Sequence, residues 1–448
     1  MDKKPNILFL MSDQLRYDVL GYNGNSIVRT PTIDHLAEKG VVFTNAYTPS
    51  PICVPARQCM MAGQWPKTCR CQAWGDDLEP FYMTFARRFS QYAYHTIACG
   101  KLHHIGPDQM QGWNLRVGQD NPIWAKYISG KKEEEFKKYD NPGQWWPWVK
   151  EVKRAGVGRD PHIIIDEYNI QGAINVINEY FNSPYYDKEQ IHRPLLLKVG
   201  LRAPHYPYMI TEDKFGYYLN RVKPFLNQQV FPHPFLNQNE VKEGVDVSER
   251  EISRATAAYY GRVETIDEFF KKVLDRLEYV GENLDNWIII FTNDHGDMLG
   301  EHGIWMKYQY FEGSVKVPLI IRWPKEFPES QKIDKNVNLI DLFATLCELA
   351  HIPIPSGLDS RSLVPLMKGK DSNWNNETIS AVEETLMIKK DHLKYQYYGE
   401  DAPEVLFDLK RNPEETINYI DEPGYSDQIQ LFRKRRKELG YGPQASSK

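Results

Sequence analysis

Four short stretches of this chain are almost continuously apolar, and they limit its fold more than any other feature. These runs lie at residues 6–11, 194–200, 287–292 and 317–321. Uninterrupted apolar runs of this length are typical of strands covered on both faces, as in a parallel or mixed α/β sheet. Stretches with helical spacing of apolar residues lie between or beside them, at residues 32–39, 163–181, 248–279 and 337–349. The alternation predicts an α/β fold with a large, mixed but mostly parallel central sheet flanked by helices.

Polar residues follow three of these runs at the point where each strand should end. Asp13 follows the first run, His205 follows the second, and Asp294 and His295 follow the third. In open α/β sheets, functional sites gather beyond the carboxyl ends of the strands. We therefore expect these residues to converge, although they are far apart in the chain.

Composition excludes several classes of protein. A formal charge of −5 argues against a general nucleic-acid binder, which is normally basic. The chain lacks the run of about 18 apolar residues that a membrane-spanning helix needs, so we expect no membrane partner. Six cysteines among 448 residues are too few for a disulfide framework. The first apolar run is too short for a signal peptide, so we expect a cytoplasmic location, with a removed leader as the alternative.

The chain divides into a large domain and a small one. We predict a catalytic α/β domain over residues 1–370 and a small α+β subdomain over 371–448, where short strand patterns occur at 387–388 and 394–398. Residues 121–158 are predicted to be an insertion that contains Trp145, Trp146 and Trp148. These tryptophans could line a ligand entrance or cover the core, and we favour the core.

The sharpest chemical signal is the pattern C-x-P-x-R at residues 53–57. Cys53 stands at the start of a predicted helix, and Pro55 lies in its first turn, where the missing N–H costs nothing. A helix N-terminus favours an anion and lowers the pKa of a thiol, so this cysteine is a candidate nucleophile. The alternative is an ordinary buried cysteine.

This pattern resembles the sulfatase family within the alkaline phosphatase superfamily, which carries C-x-P-x-R. Other segments are similar to family motifs and occur in the family's order, at residues 5–14, 30–37, 100–103, 293–307 and 406–415. The resemblance therefore covers most of the chain. It implies an alkaline-phosphatase-like fold and hydrolysis of a small-molecule sulfate ester.

The resemblance also implies a divalent cation. Its ligands would be Asp13, Gln14, Asp294 and His295 together with the modified Cys53. Carboxylate and amide oxygens suit hard cations. Many sulfatases have Asp-Asp at the first pair, and this chain has Asp-Gln, which lowers the charge at the cation. We expect Ca²⁺ first, with Mn²⁺ or Mg²⁺ as alternatives.

In the family, the cysteine at the position of Cys53 is converted to formylglycine. A hydroxyl of the hydrated aldehyde attacks sulfur and forms a covalent sulfo-enzyme. The second hydroxyl then loses its proton, here to His103, and sulfate is expelled. The resemblance thus implies a maturation enzyme as a partner, either formylglycine-generating or of the radical-SAM type.

Further roles fall to cationic residues. By resemblance, Arg57 holds the formylglycine oxygen, while Lys101 and Lys307 clamp the sulfate oxygens. Protonation of the departing alcohol falls to His205 or Lys307.

Several alternatives stay open. Phosphonate and phosphate ester hydrolases of the superfamily share the Asp-Gln opening, although Lys101 and His103 favour a sulfate ester. The substrate could be an aryl, choline or carbohydrate sulfate, and a homo-oligomer is possible in any of these cases. A catalytically silent homologue or a Trp-lined sugar-binding module would be the non-enzymatic alternatives.

Overall fold

A computed structural model describes residues 4–120, 148–182, 193–229, 231–236, 241–370 and 372–442. Most of the predicted insertion, including Trp145 and Trp146, lies outside the described residues. The described part of that segment contains a helix from Trp148 and the strand Gly156–Val157.

Fifteen strands are found in the described residues. They are β1 (Ile7–Asp13), β2 (Val41–Tyr47), β3 (His95–Gly100), β4 (Leu115–Val117), β5 (Gly156–Val157), β6 (Leu195–Pro204), β7 (Met209–Ile210), β8 (Ile288–Asn293), β9 (Lys316–Val317), β10 (Leu319–Arg322), β11 (Gln331–Asn338), β12 (Glu377–Val382), β13 (Thr385–Lys390), β14 (Leu393–Tyr397) and β15 (Val405–Asp408).

The central sheet has the strand order β11-β2-β10-β8-β1-β6-β3-β4, with β9 paired to β2. The pairs β1/β6, β1/β8, β3/β6, β3/β4 and β2/β11 are parallel, whereas β10 and β9 pair antiparallel to their neighbours. The predicted mixed, mostly parallel sheet is confirmed. Strands β5 and β7 form a separate two-stranded sheet.

Both faces of β1 are buried, as its continuous apolar sequence predicts. Leu8 and Leu10 belong to the hydrophobic core on one side of the sheet. Ile7, Phe9 and Met11 belong to the core on the other side. The strand is therefore covered on both sides, and it lies between β8 and β6 in the sheet. Asp13 at its carboxyl end is also buried.

Twelve helices flank the sheets in the described residues. They are α1 (Pro31–Glu38), α2 (Cys53–Ala62), α3 (Pro66–Cys69), α4 (Phe85–Gln91), α5 (Trp148–Lys153), α6 (Pro161–Asn182), α7 (Glu212–Leu219), α8 (Glu249–Tyr279), α9 (Glu312–Val315), α10 (Leu342–Leu349), α11 (Val364–Met367) and α12 (Ser426–Glu438). Short 3-10 helices lie at Gly21–Asn23, Leu284–Asn286, Glu301–Gly303, Leu339–Asp341 and Pro423–Tyr425.

The predicted helices at 32–39, 163–181 and 248–279 correspond to α1, α6 and α8. The longest, α8, starts with a capping box, in which Ser248 and Glu251 bond reciprocally to each other's backbone N–H. The prediction at 337–349 was wrong at its start. Val337 and Asn338 end β11, so the α-helix begins only at Leu342.

The C-terminal part forms a four-stranded antiparallel sheet, β12-β13-β14-β15, covered by α12. The rings of Tyr395 on β14 and Phe432 on α12 stack with centroids 5.5 Å apart. The predicted small α+β unit is thus confirmed, while the boundary between residues 370 and 371 stays a prediction. No helix among the described residues is long and apolar enough to cross a membrane.

Candidate active site

Parallel pairing brings the polar strand ends together. Because β1 runs parallel to both β6 and β8, their carboxyl ends share one edge of the sheet. Asp13 ends β1, and Asp294 and His295 directly follow β8. Ligand atoms of these three buried residues all lie within 4.8 Å of one another. The predicted convergence of these three residues is confirmed.

Two cationic side chains neutralise Asp13. Nζ of Lys101 lies 2.6 Å from Oδ2 of Asp13, and Nη2 of Arg57 lies 3.1 Å from the same oxygen. Burial by itself raises the pKa of Asp13, but the positive charges, Lys101 foremost, hold that pKa well below its usual value. Asp13 is therefore an ionised carboxylate in the interior of the protein.

The position of Lys101 depends on two glycines. Gly100 and Gly200 pair across β3 and β6, and a side chain at Gly200 would collide with the backbone carbonyl of Lys101. Gly100 also has φ +81°, in the left-handed region that favours glycine. The close approach of these backbones lets the strand end turn towards Asp13.

Gln14 links the strand end to Lys307. Its backbone N–H donates to Oδ1 of Asp294 at 3.1 Å, and its Oε1 accepts from Nζ of Lys307 at 2.9 Å. Its Nε2 donates to Oδ2 of Asp297 at 2.7 Å. The φ of Gln14 is +63°, a left-handed conformation that is uncommon for residues other than glycine and often marks functional sites.

Cys53 is the first residue of α2 and is 3% exposed. Its Sγ lies 3.9 Å from Nζ of Lys307, within the same buried cluster. Burial raises the pKa of the unmodified thiol, and this outweighs the lowering by Lys307 and Lys101. The prediction that the helix N-terminus lowers the pKa of this thiol is therefore wrong, because this end of the helix is desolvated.

The two histidines with predicted roles in proton transfer have lowered pKa values. Burial, with Lys101 as the next cause, lowers the pKa of His103 well below its usual value. Burial, followed by Lys307, does the same to the pKa of His205. His205 bonds through Nδ1 to the backbone carbonyl of Tyr206 at 2.8 Å, so Nδ1 carries the proton. Nε2 of neutral His205 is therefore the acceptor.

The donor set fits a divalent cation. Oδ1 of Asp13 and Nε2 of His295 are buried and have no hydrogen-bond partner among the described residues. Orphaned buried acceptors are rare in folded proteins unless something else satisfies them. Two carboxylates and an imidazole at this spacing supply charge and lone pairs for a cation.

Four residues that sequence reasoning missed support the site. Asp297 accepts from Gln14, and Tyr208 donates to the same carboxylate at 2.8 Å. Asp166 and Arg262 hold the backbone of the segment that carries His205. Of these four residues, only Asp297 could have been found from the sequence, because it lies inside the motif at residues 293–307.

A mixed, mostly parallel α/β sheet with a buried cluster of carboxylates and cations at its carboxyl edge defines the fold class, which is alkaline-phosphatase-like. Comparison with known proteins gives the family. The Sulfatase family matches residues 5–352, and a family described as "N-sulphoglucosamine sulphohydrolase, C-terminal" matches residues 300–440. The chain belongs to the sulfatase family, and it is a sulfatase enzyme, a hydrolase of sulfate esters.

Individual relatives cover almost the whole chain. An arylsulfatase of Clostridium perfringens is 30% identical over 461 residues, covering 96% of this chain and 93% of the relative. A choline-sulfatase of Rhizobium meliloti is 31% identical over 456 residues, covering 97% and 86%. The crystal structure of a phosphonate monoester hydrolase of Agrobacterium radiobacter is similar in fold, with a TM-score of 0.76, 21% identity and coverage of 97% and 95%.

Proposed function

We propose that this sulfatase cleaves a small-molecule sulfate monoester, using a formylglycine derived from Cys53 and one divalent cation. The observation that carries the proposal is the distance of 3.9 Å between Sγ of Cys53 and Nζ of Lys307. Lys307 in turn contacts Gln14, whose backbone N–H donates to Asp294, one of the three clustered ligands. Nucleophile position, cation ligands and anion-binding lysine thus belong to one connected cluster.

Asp13, Asp294 and His295 would hold the cation, with Oε1 of Gln14 and the modified Cys53 completing the set. When bound, the cation would polarise the sulfuryl oxygens of the substrate. Oxygen donors suit Ca²⁺, Mn²⁺ and Mg²⁺ alike, and we propose Ca²⁺ first, with Mn²⁺ or Mg²⁺ as the alternatives.

Lys101 and Lys307 would bind the sulfate oxygens. Their side chains are almost fully buried, at 4% and 5% exposure. Charges fixed in a water-excluded site stabilise a developing anion more strongly than they would in water. Arg57 would act on the same centre by fixing Asp13 and Asp294, and its predicted contact with the formylglycine oxygen stays a prediction.

Histidines would move the protons. The lowered pKa of His103 keeps this imidazole neutral near pH 7, as a general base must be. His205 or Lys307 would protonate the departing alcohol. His205 would need a proton on Nε2, and a bound sulfate anion favours that proton by raising the pKa of the ring.

Conversion of Cys53 would supply a hydrated aldehyde, whose second hydroxyl allows release of sulfate without attack of water on sulfur. A maturation enzyme would have to recognise the unfolded segment around residues 53–57, because Cys53 is buried in the folded protein. We infer such an enzyme as a partner.

The decisive experiment combines mass spectrometry with kinetics. The peptide that contains Cys53 should be lighter by about 18 Da, the exchange of a thiol for an aldehyde. Cys53→Ala should abolish hydrolysis of an aryl sulfate while the variant unfolds like the wild type. An untouched thiol in a protein that turns over the aryl sulfate would refute the formylglycine mechanism.

The second candidate is hydrolysis of a phosphonate or phosphate ester, which the Asp13-Gln14 pair favours. Aryl sulfate, choline sulfate, sulfated monosaccharides and a phosphonate monoester should be compared by kcat/KM, with Cys53→Ala as control. A higher kcat/KM for the phosphonate than for every sulfate would favour this candidate.

A further inference from the structure

Asp297 holds the Gln14 amide, and the proposed mechanism assigns it no role. This carboxylate is fully buried and accepts four hydrogen bonds. Oδ1 accepts from the backbone N–H groups of Leu299 at 2.8 Å and Met306 at 2.9 Å. Oδ2 accepts from Nε2 of Gln14 at 2.7 Å and from the hydroxyl of Tyr208 at 2.8 Å.

These contacts determine which end of the Gln14 amide faces the site. Nε2 donates to Asp297, and Oε1 accepts from Nζ of Lys307 at 2.9 Å. The reversed amide would set its NH₂ group against an ammonium and its carbonyl against a carboxylate, so both contacts would become repulsive. The orientation therefore follows from the charges of two neighbours, one on each side.

We propose that Asp297 is a positioning residue that turns Oε1 of Gln14 towards Lys307 and the cation ligands. The same amide oxygen restrains Lys307, whose Nζ lies 3.9 Å from Sγ of Cys53. Asp297 thus acts through Gln14 on both the cation site and the anion-binding lysine. The inference rests on the proposed function for the roles of Lys307 and the cation.

Asp297→Asn tests this orientation with almost no change in shape. Oδ1 must still accept the two backbone N–H groups, so the new NH₂ group takes the place of Oδ2 and faces Gln14. Gln14 must then turn its own carbonyl towards it and direct Nε2 at Lys307. We expect Ca²⁺ affinity and kcat/KM each to fall about 10–100-fold, as when the partner of a metal ligand is lost.

A second substitution should repair the first. Gln14→Glu alone sets two carboxylates against each other. Combined with Asp297→Asn, the glutamate accepts from the new NH₂ group with one oxygen and from Lys307 with the other. The hydroxyl of Tyr208 can rotate to accept instead of donate. If the two substitutions acted independently, their separate effects on Ca²⁺ affinity and on kcat/KM would multiply. We expect the double variant to have values at least about tenfold higher than that product predicts.

The measurements are calorimetric titration of the metal-free proteins with Ca²⁺ and kinetics on an aryl sulfate. Tyr208→Phe is the matched control, because it removes the other side-chain donor to Oδ2 and keeps the carboxylate. Its Ca²⁺ affinity and its kcat/KM should both fall less than those of Asp297→Asn. Effects that simply multiply, or unchanged Ca²⁺ affinity in Asp297→Asn, would overturn the proposal.

Two further outcomes are informative. If Asp297→Asn unfolds, recovery of a folded protein in the double variant supports the proposal, and a double variant that is no more stable overturns it. Ca²⁺ binding is measured without substrate. The wild type could bind Ca²⁺ but hydrolyse no sulfate ester, while the variants still show the tenfold coupling in Ca²⁺ affinity. That result would contradict the proposed function and leave the role of Asp297 supported.

Discussion

Nε of Arg57 lies 2.7 Å from Oδ2 of Asp294, and both side chains are buried. The same guanidinium donates through Nη2 to Oδ2 of Asp13 at 3.1 Å and to the carbonyl of Ser12 at 3.0 Å. Arg57 on α2 therefore joins the ends of β1 and β8. Despite the opposing effect of burial, these carboxylates raise the pKa of Arg57, so it is always charged.

Removal of this guanidinium should destabilise the metal-free protein. Arg57→Met leaves Asp13 and Asp294 buried with one counter-charge fewer. Breaking a buried ion pair in this way costs about 3–5 kcal/mol, and we expect a loss of that size in the free energy of unfolding. Urea unfolding in a chelator measures it. Saturating Ca²⁺ should recover part of the loss, since a ligand of the folded state adds to its stability.

Arg57→Lys is the control for charge. It keeps the positive charge but loses the planar fork that reaches both carboxylates. Its loss of stability should be smaller than that of Arg57→Met. A methionine variant that is as stable as the wild type in chelator would contradict the linking role of Arg57.

Asp166 on α6 should make stability fall as pH rises. Its carboxylate accepts from the backbone N–H groups of Arg202 and Ala203, each at 2.8 Å. Burial outweighs these bonds and raises the pKa of Asp166 to about 7 from 3.8. The folded state then holds a proton that the unfolded state has released. The stabilising contribution is full below pH 3.8 and is lost as pH rises towards 7.

Asp166→Asn removes this titration. The unfolding free energy of the wild type relative to the variant should fall by up to about 4 kcal/mol between pH 4 and pH 7. Chemical unfolding at several pH values measures the difference. Glu167→Gln, an exposed neighbour on the same helix, should show no such trend. If the difference in unfolding free energy between the wild type and Asp166→Asn did not change with pH, Asp166 would be ionised over the whole range in the folded protein.

The sequence predicted the parts of the site that depend on local pattern. The strand ends, the start of α2 and the convergence of Asp13, Asp294 and His295 follow from apolar runs and short motifs. The orientation of Gln14 could not be predicted, because it is set by Asp297 and Lys307, more than 280 positions away. The raised pKa of the thiol was missed because burial of a helix end is a tertiary property.

The fold shows the same division between local and tertiary determinants. The apolar runs predicted the central strands, since a strand buried on both faces needs no polar positions. The pattern over 337–349 predicted one helix, but pairing of β11 with β2 takes Val337 and Asn338 into the sheet. Tertiary pairing overrode a local helical pattern there.

Lys394 should be essential for docking the C-terminal sheet. This lysine on β14 is fully buried, with Nζ 3.0 Å from Oε1 of Glu312 on α9 and in contact with Glu415. The lysine charges, Lys394 foremost, overcome burial and lower the pKa of Glu312 to about 2. Lys394→Met would leave two buried acids without this cation. We expect the free energy of unfolding to fall by about 3–5 kcal/mol.

Urea unfolding and limited proteolysis of the C-terminal part test this expectation. Lys390→Met on the neighbouring strand β13 is the matched control, because this lysine is exposed. It should change the unfolding free energy by less than about 0.5 kcal/mol. Equal stability of the two variants would show that the charge of Lys394 is dispensable.

Substitution of Arg262 should lower kcat/KM most for substrates with poor leaving groups. From α8 it donates to the carbonyls of Pro204 at 3.2 Å and His205 at 2.5 Å, and so fixes the segment that carries the His205 ring. If His205 protonates the departing alcohol, its displacement costs most where the leaving group needs that proton. We expect Arg262→Lys to lower kcat/KM about 100-fold for an alkyl sulfate and less than about tenfold for an acidic aryl sulfate.

A series of phenyl sulfates with graded leaving-group pKa values measures this dependence. The slope of log kcat/KM against that pKa should become steeper in Arg262→Lys, and steeper still in His205→Ala, because a missing general acid leaves more charge on the departing oxygen. Unfolding of each variant is compared with that of the wild type, because a general loss of structure would lower kcat/KM equally for all substrates. A uniform fall across the series in a His205→Ala variant that unfolds like the wild type would assign the proton to Lys307, the other candidate beside Cys53.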